Sequence, residues 1–227
     1  MNEQFVKYKD LKTINKISDK YVNEELISLP NTGNTLIGRY LTNLNELEFS
    51  DKVMIRKSLK EKLENVDKEI KKINKNYQLI VAYGYRALSK QKKYFNEEIK
   101  KAEKLFSNKD ELYEYVHEKI AVPEVAGHPT GGAVDVTIYD MENQKELDFG
   151  SKIHDFSSDV CYTFYKNISD DEKENRMLLR HLMLNEGFAP YDGEWWHFSY
   201  GDREWAFYYK KGEYLYNVID EKNVYKI

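Results

Sequence analysis

Two short stretches of this chain carry side chains whose types and spacing suit hydrolytic metal chemistry: Gly127-His128-Pro129-Thr130-Gly131-Gly132-Ala133-Val134-Asp135 and Glu194-Trp195-Trp196-His197. A catalytic zinc ion takes three protein ligands from imidazole and carboxylate and keeps a fourth position for water or substrate. His128, Asp135 and His197 meet that count, so one Zn2+ per chain is expected. Glu194 suits the second task of such a site, taking a proton from the activated water and passing it to a leaving amine.

The elements that must position these groups are legible in outline. Ala133-Val134-Asp135-Val136-Thr137-Ile138 alternates, so in a strand Asp135 points away from the apolar layer made by Val134, Val136 and Ile138. His128 precedes it on a loop, and the small residues between let the backbone fold back; Gly131-Gly132 is read as making room around the metal. A phosphate cradle is not the expected reading, because no Lys-Ser/Thr follows the glycines and a strand rather than a helix comes next. Glu194 and His197 are three apart, a spacing that faces opposite ways in an ideal strand, so that segment must bend.

Upstream, apolar residues recur at steps of three or four from Val53 to Ile73, which predicts an amphipathic helix with a solvated charged face from Asp67 to Lys75. Gln78 to Tyr83 reads as a strand that delivers Arg86 just beyond its end. Ser89 is a candidate cap for a second helix reaching Phe106. Ser169-Asp170-Asp171-Glu172 opens a third helix with a capping box, and Gly187 stops it. Past Gly187, the aromatic runs at 195–198, 205–209 and 214–218 read as strands of an antiparallel sheet. Of Trp195 and Trp196, one is expected in the core and one on a cavity wall. The fold expected is a single α+β domain over residues 1–227, an antiparallel sheet carrying the zinc site and covered by helices. Asn31 to Thr35 is the candidate mobile cover.

His128-x-x-Gly131-x-Ala133-x-Asp135, followed by Glu194-x-x-His197 and preceded by Tyr83-Gly84-Tyr85-Arg86, resembles the D-alanyl-D-alanine dipeptidase family, zinc peptidases related to D,D-carboxypeptidases. The likeness runs from Gly33-Asn34-Thr35-Leu36-Ile37-Gly38-Arg39-Tyr40 through Phe188 to Asp202. It implies zinc ligands His128, Asp135 and His197, a general base at Glu194, and Arg86 as the cation that stabilises the tetrahedral intermediate. An arginine in that role fits the chemistry, since attack on an amide places negative charge on the former carbonyl oxygen. The chain also departs from the family pattern. Ala126 stands two before His128 where the family commonly has serine, and Phe149-Gly150-Ser151-Lys152-Ile153-His154-Asp155 replaces a motif whose aspartate resembles a clamp for the substrate's free amine. In strict register His154 takes that aspartate's place, and Asp155 serves only if the loop shifts by one residue. His154 and Asp155 are therefore the candidate substrate contacts.

A net charge of -4 with basic and acidic residues interspersed provides no cationic surface for a phosphate backbone, so nucleic acid is not an expected partner. No apolar run is long enough to span a membrane, and Met1 to Lys7 does not read as the start of a signal peptide, so the expected location is cytoplasmic. Cys161 is the only cysteine and sits between apolar neighbours, which reads as a buried thiol. His117 and His181 read as structural histidines on helices. The function expected is hydrolysis of D-Ala-D-Ala or a related small cell-wall dipeptide. The alternatives are a D,D-carboxypeptidase acting on longer wall peptides and a non-catalytic binding module that keeps the zinc.

Overall fold

The alternating run at 133–138 and the helical stripe at 59–70 are two halves of one interface. Val134, Val136 and Ile138 on one side and Leu59, Leu63, Val66 and Ile70 on the other are all fully buried in the same core. Each such aliphatic side chain contributes on the order of 2 kcal/mol by leaving water. The computed structural model describes residues 5–21, 24–34, 36–39 and 52–224. In chain order these form α1 (Tyr8–Thr13), β1 (Leu26–Ser28), β2 (Ile37–Gly38), β3 (Met54–Arg56), α2 (Lys57–Ile73), β4 (Tyr77–Tyr83), α3 (Leu88–Ala102) and α4 (Lys109–His117). There follow β5 (Ala133–Asp140), β6 (Lys145–Glu146), α5 (Asp170–Asn185), β7 (Ala189–Pro190), β8 (His197–Ser199), α6 (Arg203–Tyr208) and α7 (Glu221–Val224).

The main sheet runs β2-β4-β5-β8-β7, with β6 pairing the end of β5. It is antiparallel except at one edge, where β2 lies parallel to β4. The α+β class expected from the sequence is therefore observed, in a mixed rather than purely antiparallel sheet. Helices α2 and α5 cover the face carrying Leu79, Val81 and Val136. A second apolar cluster, with Phe95, Leu112, Val116 and Val125, joins α1, α3, α4 and the 120–125 loop.

Several expected elements have different bounds or types. The helix expected from Val53 begins at Lys57, because Met54–Arg56 pairs with β1 and the Met54 carbonyl accepts from Tyr85 N–H at 2.7 Å. Asp67 is not on a solvated face: it is buried, and its Oδ1 accepts from the Leu79 backbone N–H at 2.9 Å, tying α2 to β4. Helix α3 begins at Leu88 with Ala87 as an N-cap that has no side-chain bond, so Ser89 is inside the helix. The run at 205–208 belongs to α6 and Tyr209 is its C-cap, since Asp202 Oδ1 accepts from Trp205 N–H at 2.8 Å and caps a helix there. Among the described residues the 214–218 run forms no strand and has one isolated bridge, from Tyr214 to Ile17. Helix α5 matches expectation, with its capping box and Gly187 at φ +82°. Both Trp195 and Trp196 are core, at 1% and 0% exposure.

His117 ends α4 in a buried setting, with Nδ1 accepting from Val122 N–H at 3.1 Å and the Tyr8 ring 6.0 Å away. Burial pushes its imidazole from 6.5 down to about 4. The folded state thus refuses a proton that the unfolded chain takes up below 6.5. The contribution of this group is fully present above that value and is lost as pH falls toward 4, by up to about 3 kcal/mol. Chemical unfolding of the ion-free protein across this pH range should give a stability slope that is reduced in His117→Gln. An unchanged slope would remove His117 as the cause.

Candidate metal centre

Asp135 and His197 stand directly opposite each other in the antiparallel β5–β8 ladder, so their side chains leave the same face of the sheet. His197 Nδ1 lies 2.9 Å from Asp135 Oδ1. His128 reaches the same carboxylate from a 3-10 turn, His128–Thr130, with Nε2 3.5 Å from Asp135 Oδ1. That turn is closed by Gly131 at φ +74°, a left-handed position where a Cβ would also lie 2.5 Å from Leu26 Cδ2. At Gly132 a Cβ would meet the Tyr200 carbonyl at 2.4 Å. These glycines make room for the chain against Leu26 and Tyr200 rather than around the metal.

The strand β4 brings in the other half. Its register against β5 shifts between Val81 and Tyr83, where Tyr83 pairs with Asp135. Just beyond, the Gly84 carbonyl lies 2.7 Å from His128 Nδ1, and Arg86 N–H donates to the His128 carbonyl at 3.2 Å. With Nδ1 committed to that carbonyl, Nε2 is the nitrogen His128 turns toward Asp135. Arg86 is held in the cleft by its Nη1 bond to Gln91 Oε1 at 2.9 Å and by the Tyr83 ring, 4.8 Å from the guanidinium carbon.

The bend required between Glu194 and His197 is present. Glu194 N–H donates to the Tyr191 carbonyl and His197 N–H to the Glu194 carbonyl, each at 3.1 Å, so Glu194 sits in the turn immediately before β8. Trp196 Nε1–H donates to Glu194 Oε2 at 2.8 Å and fixes the carboxylate's orientation. His154 also joins the centre: its Nε2 lies 2.8 Å from Asp135 Oδ2, although its backbone is in the left-handed region at φ +62°. A non-glycine residue there carries strain of order 1 kcal/mol, which the Asp135 contact and edge packing on Tyr83 and Trp196 offset. Asp155 is placed differently. It does not line the cleft, and its Oδ1 accepts from Ser157 N–H at 3.0 Å, capping its own turn. The one-residue loop shift that would bring it to substrate does not occur. Residues 31–34, the expected cover, are exposed and do not line the cleft either, and Thr35 lies outside the described residues.

Glu204, which sequence reasoning did not single out, completes the surroundings. It lines the cleft from the first turn of α6, with Oε2 3.8 Å from His197 Nε2. The Asp202-x-x-Trp205 cap would have announced that helix and placed Glu204 inside it. Burial raises Glu204 to about 8, with Asp202 and Glu194 adding to the rise against His197. Burial likewise raises Glu194, opposed chiefly by the charge of His197. Burial penalises the Asp135 anion, but the charge of His128 and hydrogen bonds from His128, His154 and His197 outweigh it and hold the carboxyl well below its ordinary range. Burial pushes His128 down to about 4. His197 is also disfavoured as a cation by burial, yet its hydrogen bond to Asp135 and the charges of Asp135, Glu204 and Glu194 carry it up to about 10.

The donor set fits a metal ion. One ligand atom from each of His128, Asp135 and His197 lies within 4.8 Å of the others, all are buried, and Asp135, Glu194 and Glu204 together make a site that favours positive charge. Two nitrogens and one carboxylate oxygen are ligands typical of catalytic zinc, with the cleft of about 370 Å³ open beside them for a fourth.

The fold and site thus define an α+β protein with a buried His-Asp-His cluster that could hold a metal ion. The chain belongs to the D-Ala-D-Ala dipeptidase family, whose sequence profile matches residues 39–215. It is 33% identical over 118 residues to a D-alanyl-D-alanine dipeptidase of Synechocystis, covering 45% of this chain and 47% of the relative. It is 35% identical over 81 residues to a D-alanyl-D-alanine dipeptidase of Enterococcus faecium, covering 36% and 40%. The matches thus span less than half the length of these curated relatives. Among solved structures, VanYB in complex with D-alanine-D-alanine aligns with a TM-score of 0.47 at 18% identity, over 91% of each chain.

Proposed function

We propose that this protein is a zinc-dependent peptidase that hydrolyses D-Ala-D-Ala or a closely related small dipeptide. The observation that carries the reading is the convergence of His128, Asp135 and His197 on one point of a cleft that also holds Glu194 and Arg86. His128, Asp135 and His197 would hold the ion. Bound zinc supplies a Lewis acid for the amide carbonyl and lowers the pKa of its water to about 7. Glu194, oriented by Trp196, takes the proton released during attack and returns it to the leaving amine. Arg86, braced by Gln91 and Tyr83, offers its guanidinium to the negative charge that grows on the former carbonyl oxygen. His154 supports the ligand Asp135 while also lining the cleft, where it stays a candidate substrate contact, and Glu194 and Glu204 are further acidic side chains that face the same space.

One observation favours the second reading, a D,D-carboxypeptidase: the loop at 149–155 presents no carboxylate to the amine end, because Asp155 is turned into its own cap. The test is amino-acid release from D-Ala-D-Ala, L-Ala-L-Ala and an amino-blocked tripeptide by zinc-loaded protein. Release from the free D,D-dipeptide alone, abolished by chelation and restored by zinc, is the expected result. Turnover of the blocked tripeptide alone would establish the carboxypeptidase, and no turnover of any of the three would refute peptide hydrolysis of this type.

A further inference from the structure

The part of the chain matched to the family begins at residue 39, yet one wall of the cleft comes from well before it. Val6 and Leu11 line the cavity and are themselves 5% and 3% exposed. The segment that carries them is pinned on both sides. On one side, the Glu114 carboxylate of α4 accepts from the Tyr8 and Lys9 backbone N–H groups at 2.9 and 2.8 Å, satisfying two of the donors that the start of α1 leaves free. Tyr8 adds a hydroxyl bond to Glu124 Oε2 at 2.8 Å. On the other side, the Phe5 ring packs edge-on against Tyr162 at 5.0 Å and Tyr191 at 6.4 Å, and Tyr191 is a cleft residue 6.3 Å from the His197 ring. The strap therefore bridges from α4 to the flank of the metal centre.

We propose that Phe5–Thr13 is a length filter that closes the cleft to peptides longer than a dipeptide; the inference rests on the reading of this cleft as a peptide-hydrolysing site. The wall it completes is apolar at Val6, Leu11, Ile120 and Val125, beside a His117 ring that is already hydrogen-bonded to the Val122 and Val6 backbone and with Lys119 as the other polar side chain of that stretch. A further substrate residue would have to bury its peptide N–H and C=O against the apolar side chains unsatisfied, or displace the strap. A dipeptide has no further peptide group to bury against that wall.

Two variants test this: removal of residues 1–13, and Val6→Ala with Leu11→Ala, which keeps the strap and its anchors but lowers the wall. Both are first checked for folding by circular dichroism. Removal is expected to raise the ratio of kcat/KM for D,D-tripeptide to that for D-Ala-D-Ala by about tenfold or more, and the double substitution by a few fold, with dipeptide turnover retained. If the deletion does not fold, the double substitution decides alone. A ratio within about twofold of the parent in the folded variants overturns the filter. If the parent cleaves neither peptide, the functional reading fails, and the strap is judged without substrate from the rate at which a bulky chelator withdraws bound zinc. Withdrawal is faster from the variants if the strap roofs the centre, and equal rates overturn the proposal.

Discussion

Glu194→Gln is expected to bind zinc as the parent does and to hydrolyse D-Ala-D-Ala about three orders of magnitude more slowly, within the range that positioned acid–base groups contribute. The substitution is nearly isosteric, and its amide oxygen can still accept the Trp196 Nε1–H bond that orients the parent side chain. None of the three candidate ligands is touched, since Glu194 stands in the turn ahead of β8 and not in the His128, Asp135, His197 group. What the amide lacks is a site for the proton. Metal content by atomic spectroscopy and turnover measured on the same preparation separate the two roles. Loss of zinc along with activity would make Glu194 a ligand. Full zinc with activity within about tenfold of the parent would mean that another group relays the proton. Glu204 would then be the group to test, as the other carboxylate beside His197 in the cleft.

Why Glu194 could be singled out from sequence, while Glu204 and His154 could not be placed, follows from what local pattern encodes. The alternation at 133–138 fixes which face Asp135 leaves, and the helical stripe of α2 fixes what covers the opposite face; both are short-range regularities. The pairing of Asp135 with His197 is not local. It depends on β5 and β8 meeting in one register, and nothing in either segment specifies that partner. His154 belongs to the centre only because a loop residue adopts a left-handed backbone and turns toward Asp135, whereas its neighbour Asp155 caps a turn of its own. Strict register with the family pattern favours His154 over Asp155, but the left-handed backbone that turns it onto Asp135 has no signature in the local sequence. Aromatic composition favours strand at 205–209, and a single Asp202 cap decides for helix, which is what delivers Glu204. The same competition acts at β3, where cross-strand bonds to β1 override the three-to-four spacing that continues into α2.

The largest effect on the metal is expected at Asp135. Its two oxygens are shared among three imidazoles: Oδ1 with His197 Nδ1 at 2.9 Å and His128 Nε2 at 3.5 Å, Oδ2 with His154 Nε2 at 2.8 Å. Asp135→Asn keeps the volume but removes the anion and puts an amide N–H₂ where a ligand oxygen or the acceptor for His154 had been. Loss of a group that only supports a ligand typically costs 10- to 100-fold in metal affinity. His154→Ala, which removes such a support, should therefore weaken zinc binding by about that much, and Asp135→Asn by distinctly more, beyond about 100-fold. Stability of the ion-free protein should change far less than the burial of the carboxylate suggests. Removing one partner of a buried ion pair is costly when it strands the other charge, by about 3–5 kcal/mol. Here His197 can release its proton once the Asp135 anion is gone, so no stranded charge remains. Competition titration with a zinc indicator and thermal unfolding without metal give the two readouts. An Asp135→Asn protein that holds zinc as tightly as His154→Ala would show that the ion is held without this carboxylate. A collapse of ion-free stability together with zinc binding would mean that Asp135 serves the fold before it serves the metal.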